Sequence, residues 1–147
     1  MVRTDAMSWQ SVALAAAVFL VALALFGGLA RYFGIIAMWM PLVNSLALVA
    51  ATPKLPSAHP WPIVAGHAAT AVVGSVAGHL FGASVGVAIC AATLGLLLML
   101  IGRAMHPPAA ATGLIFTLHP VPPQIAVPLL LGACGIAGLG ALLRRRG

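Results

Sequence analysis

The sequence predicts an all-α membrane protein with about six transmembrane segments, two of them short or broken. Three observations carry that prediction. Hydrophobic residues make up 63% of the 147 residues and charged residues only 5%, against about 25% charged in an ordinary soluble domain. Four apolar runs, Trp9–Ala30, Ile63–Phe81, Ser84–Gly102 and Ile125–Leu143, reach or approach the about 20 residues with which a helix crosses a bilayer. The one acidic residue, Asp5, lies outside all four runs. Seven Lys and Arg with a single acid cannot clothe a soluble fold of this size. The apolar content is equally incompatible with disorder. The expected environment is the lipid bilayer of a cytoplasmic (inner) membrane, crossed several times.

Each element follows from local signals. The run from Trp9 is too long for a signal-peptide core and reads as a first spanning helix. Ile35–Thr52 is apolar but carries Pro41, Asn44 and Ser45, so it is expected to break. Pro107–Leu118 is about 12 residues, roughly 18 Å of helix and half a bilayer. Both broken segments end in proline-rich stretches, Thr52-Pro53-Lys54-Leu55-Pro56 and His119-Pro120-Val121-Pro122-Pro123. If all six segments cross, Arg3, Lys54, Arg103 and Arg144–Arg146 share one side and only Arg31 faces the other. The positive-inside rule then places both termini in the cytoplasm. Two fold-back loops in place of the broken segments would leave four crossings with the same terminal placement. The dispersed cations read as topology signals, so the net charge of +6 is not taken as a nucleic-acid footprint.

The broken segments also align faintly with one another. Pro41-Leu42-Val43-Asn44-Ser45 followed by Thr52-Pro53 matches Pro108-Ala109-Ala110-Ala111-Thr112 followed by His119-Pro120. This suggests halves 9–81 and 84–143 arranged as a 3+3 inverted repeat within one transmembrane domain. In such folds, paired interrupted segments mark a binding site near the midplane. Gly74 and Gly78 at GxxxG spacing, and Gly132, Gly135, Gly138 and Gly140, predict close helix contacts, within the protomer or in a homo-oligomer. Cys90 and Cys134 lie within apolar runs without metal or redox spacing and read as small packing residues.

The densest motif is Arg103-Ala104-Met105-His106-Pro107-Pro108-Ala109-Ala110-Ala111-Thr112-Gly113-Leu114. Prolines fit the first turn of a helix, so Pro107-Pro108 reads as a helix start with His106 just before it. The amides of Ala109, Ala110 and Ala111 would then carry the positive end of the helix dipole, with Thr112 adding a hydroxyl. Pro41, Asn44 and Ser45 read as a matching start. Two facing starts would form a positively polarised site for a small inorganic anion, with His106 and His67 beside it. The plainer alternative is that Pro107-Pro108 only ends a loop and the hydroxyls only join helices. His79 reads as interfacial, and His59 and His119 as solvated loop residues. The five histidines show no metal-ligand spacing. No cofactor is expected, and the absence of a Ser/His/Asp set or an HExxH motif argues against an enzyme.

The same motif resembles the signature of the HPP family of integral membrane proteins, named for its His-Pro-Pro tripeptide. A second block, Pro53-Lys54-Leu55-Pro56-Ser57-Ala58, then Pro60, then Ile63-Val64-Ala65-Gly66-His67, is similar to the family's other recognisable stretch. It departs from the family in having Trp61 where Arg commonly follows Pro60, and Ala65 where Gly precedes Gly66. The resemblance covers about residues 34–143. It implies a transporter, with nitrite the candidate substrate because some plant and cyanobacterial members are associated with nitrite transport. A non-transporting membrane component that packs through its glycine faces is the alternative.

Overall fold

The computed structural model describes residues 8–32, 34, 36–120 and 126–146. Arg3, Asp5, Ile35, the Val121–Pro123 stretch and Ile125 lie outside the described residues. The described residues form six α-helices and no strand: α1 (Trp9–Tyr32), α2 (Ile36–Ala51), α3 (Pro60–Phe81), α4 (Val85–Ile101), α5 (Ala109–Leu118) and α6 (Ala126–Arg146). A single 3-10 turn, Pro56–Ala58, precedes α3. Helices α1, α3 and α6 are long and apolar enough to cross a membrane, and α2, α4 and α5 are shorter apolar helices.

One expectation about the helices is overturned. The segment Ile35–Thr52 is not broken: α2 runs continuously through Pro41. Proline removes one amide and crowds only the carbonyl one turn before it, here near the start of the helix. The run Ser84–Gly102 forms a helix of only 17 residues, about 26 Å long at 1.5 Å per residue. Ser84 caps its start, with its Oγ accepting from the Val87 amide at 3.3 Å. Its end is closed by a left-handed Arg103 (φ +50°) and by the Ala104 amide reaching the Met99 carbonyl at 2.8 Å. Glycine is the usual residue there, because a side chain strains that conformation by roughly 1–2 kcal/mol. Arg103→Gly is therefore expected to stabilise the detergent-solubilised protein by about 1 kcal/mol, read as a higher unfolding temperature.

Helix directions alternate. Gly66 lies against Ala109 and His106, Gly74 against Gly113, and Gly78 against Thr117, so α3 and α5 run parallel. Gly132 meets Leu42 and Gly140 meets Val49, so α6 runs parallel to α2. Thr70 packs on Gly95 and Gly66 near Met99, which makes α4 antiparallel to α3. Lys54, Arg103 and Arg144–Arg145 thus gather at one end of the bundle. There the Arg144 guanidinium donates to the Ala58 carbonyl at 3.2 Å and the Trp61 indole to the Gly102 carbonyl at 3.3 Å. Arg31 stands at the opposite end, in the last turn of α1.

Burial follows the helical period. On α6, Ala133, Ile136 and Ala137 face inward onto Leu42, Leu46 and Val49 of α2 and Ile63 of α3, while Leu129 packs against Ala71 of α3 and Phe116 of α5. Helix α1 buries only Ala30 and leans on the core through Phe19, Ala22, Leu23 and Phe26. The GxxxG pair of α3 is used inside the protomer, where it lets the α5 backbone approach. Cys90 and Cys134 are not core packing residues; both are exposed on outer helix faces. Their spacing within apolar runs does not reveal which face they occupy.

Candidate functional site

Helix α5 lies between α2, α3 and α4. Where these elements meet, four side chains are fully buried and bonded to one another. Ser45 from α2, His67 from α3, His106 from the α4–α5 connection and Thr112 from α5 each show 0% exposure. Ser45 is the hub. Its Oγ lies 2.8 Å from Nε2 of His67 and 2.8 Å from Nε2 of His106. It also lies 3.1 Å from the Pro41 carbonyl, one turn earlier in α2. His67 Nδ1 is 2.7 Å from the Thr112 hydroxyl. His106 Nδ1 donates to the Ser57 carbonyl of the 3-10 turn at 2.7 Å. The two imidazoles meet edge-on, with centroids 5.3 Å apart and planes at 62°.

Local geometry explains why these residues converge. Pro41 and Ser45 are four residues apart and share one face of α2. His67 and Gly66 occupy the face of α3 that meets the His-Pro-Pro turn. A Cβ on Gly66 would sit 3.2 Å from His106 Cβ, Ala109 Cβ and Met99 Sδ. Glycine there lets the turn carrying His106 approach the backbone of α3. The network is about 9 Å from the α2 end at Ala51, counted along the helix. On the 16-residue α2 this places it just to the basic side of the helix middle.

The structure brings together Ser45, His67, His106 and Thr112, and separates them from other predicted site residues. Asn44 is exposed, because neighbouring helical residues point about 100° apart and its side chain turns away from that of Ser45. Pro107 is exposed and Pro108 half-buried in the turn that opens α5. That turn consumes the amides expected to face an anion. Ala109 N–H donates to the His106 carbonyl at 2.9 Å, Ala110 N–H to Pro107 at 3.1 Å, and Ala111 N–H to Pro108 at 3.3 Å. Nor do two helix starts face each other, because α2 begins five residues before Pro41. The polar character of the site comes from side chains, while the helix-start amides are satisfied locally.

Sequence reasoning missed Ser57, whose contribution is a backbone carbonyl, and Gly66, whose contribution is empty space. His79 is exposed and bonds the Ser75 carbonyl of its own helix at 2.8 Å. His59 and His119 are exposed. Among the described residues, no group of three or more His, Cys, Asp or Glu side chains is placed to hold a metal ion.

No curated protein and no solved structure matches the chain. The family described as "HPP, transmembrane region" matches residues 4–146. That match spans the His-Pro-Pro turn and all the helices that enclose the buried network, and the chain therefore belongs to the HPP transmembrane-region family.

Proposed function

We propose that this chain is a transporter of the cytoplasmic membrane that passes a small monovalent anion, with nitrite the candidate substrate, and that it is not an enzyme. One observation carries the reading: a fully buried His–Ser–His–Thr cluster in a bundle whose spans contain no carboxylate. Ionisable groups inside a membrane protein are expensive and mark substrate or proton pathways. A site of imidazoles and hydroxyls without an acid favours a negatively charged ligand. Family membership supports the same direction. The six alternating helix directions and the gathering of cations at one end fit six crossings with both termini cytoplasmic. They also fit a 3+3 plan in which α2 and α5, the middle helices of the two halves, meet at the network. Use of Gly74 and Gly78 within the protomer weighs against a scaffold that recruits partners through that face.

The test is nitrite uptake into proteoliposomes containing the purified protein. Protein-dependent flux is expected, reduced to background by His106→Ala and by Thr112→Val. Absence of flux for nitrite and other small anions from correctly folded protein would overturn the reading.

A further inference from the structure

We infer that the network stores a single proton on His106 and takes it up together with the anion, by rotation of one hydroxyl. The inference rests on the anion-transport reading above and deepens it. It follows from counting donors and acceptors. The Ser57 carbonyl can only accept, so His106 Nδ1 carries a hydrogen. In a neutral ring, His106 Nε2 is then a lone pair. The atom facing it at 2.8 Å is Ser45 Oγ, whose hydrogen fills it. With that hydrogen committed, Ser45 Oγ accepts from His67, so His67 bears its hydrogen on Nε2. His67 Nδ1 accepts in turn from the Thr112 hydroxyl. One terminal carbonyl thus sets both histidine tautomers and the direction of every hydrogen bond from Thr112 to Ser57.

The same heavy atoms satisfy a second state. A proton from solution adds to the lone pair of His106 Nε2, forming one N–H bond and breaking no covalent bond. His106 becomes an imidazolium and donates to Ser45 Oγ. The displaced hydroxyl hydrogen turns to the Pro41 carbonyl, 3.1 Å away. Ser45 Oγ then accepts from both rings, donates once, and leaves no polar atom of the network unpaired. Two states that differ by one proton share one packing.

Charge decides when the second state is occupied. The groups around the rings are Ser45 from α2, His67 from α3, Met99 from α4, and Ala109 and Thr112 from α5. The 3-10 turn presents the Ser57 carbonyl. Helix α6 brings only another cation, Arg144, on the neighbouring Ala58 carbonyl. The chain's single acid, Asp5, lies outside the apolar spans. A buried imidazolium without a counterion is strongly disfavoured. A monovalent anion supplies the missing charge, so proton and anion favour each other's binding, as linkage requires.

The proton count is read by titrating sodium nitrite into detergent-solubilised protein at neutral pH, in two buffers of different ionisation enthalpy. The expected result is about one proton taken up per nitrite bound. Loss of that uptake is expected in His106→Asn, whose amide preserves a donor to Ser57. Nitrite binding without proton uptake in the unaltered protein would overturn the store while leaving the anion reading intact. Failure of nitrite to bind would overturn the anion reading and the coupling with it. Nitrogen NMR of the anion-free protein supplies an independent check. His106 protonated at Nδ1 and His67 at Nε2 are expected, and the reverse tautomers would overturn the assignment.

Discussion

Replacing Ser45 with alanine is expected to destabilise the protein by about 2–6 kcal/mol, more than any other removal of one heavy atom in the bundle. The reason is its position as the hub. Its hydroxyl contacts Nε2 of two buried histidines, both at 2.8 Å. Alanine leaves both ring nitrogens facing a methyl group, with no exposure to recover a partner from solvent. Each abandoned buried polar atom costs about 1–3 kcal/mol. By contrast, Thr52 is exposed just past the end of α2, and its hydroxyl donates to the Leu48 carbonyl of that helix. Thr52→Ala is the control and should change stability by less than about 0.5 kcal/mol. Thermal unfolding in detergent measures both. A Ser45→Ala protein as stable as the unaltered one would show that the two histidines do not depend on this hydroxyl.

Gly74→Ala carries the second large effect, for a steric reason. A Cβ at Gly74 would stand 2.5 Å from the Gly113 carbonyl oxygen and 3.1 Å from its carbonyl carbon and Cα. Those atoms are backbone, so no rotamer change relieves the overlap, and α3 and α5 must move apart. The shift also strains the interhelical bond from the Thr117 hydroxyl to the Gly74 carbonyl, 3.2 Å long. Overpacking of this kind costs typically about 1–3 kcal/mol, occasionally more. It would also loosen the face that holds Thr112 against His67. Gly138 provides the opposite case, since nothing lies within 4 Å of its added Cβ. Gly138→Ala should gain about 0.5–1 kcal/mol from helix propensity alone. Equal behaviour of the two variants would contradict the close α3–α5 contact.

Much of this was legible in the sequence, and the reasons are specific. Long apolar runs without acids identify membrane helices whatever their neighbours, and α1, α3 and α6 appear where those runs lie. His106, His67, Ser45 and Thr112 stand out because polar side chains in apolar segments are costly and few. Their mutual partners were not legible, because Ser45 and His106 are 61 residues apart and meet only through the packing of α2 against α5. The reading of Pro41 as a helix start failed because one missing amide near an end can be absorbed by a continuing helix. The amides of Ala109–Ala111 looked free because sequence shows where a helix begins, while the conformation of Pro107-Pro108 decides which carbonyls fold back to accept them. Asn44 was drawn into the site by its proximity to Ser45 in sequence, yet adjacent helical residues point about 100° apart.

The central claim is that the buried network carries transport as well as holding the helices together. Nitrite flux through Thr112→Val tests it most directly. Valine keeps the branched shape against α3 and removes only the hydroxyl, 2.7 Å from His67 Nδ1. Reconstituted at equal amounts of folded protein, this variant should show background flux while the unaltered protein transports. Full flux through Thr112→Val would contradict the account.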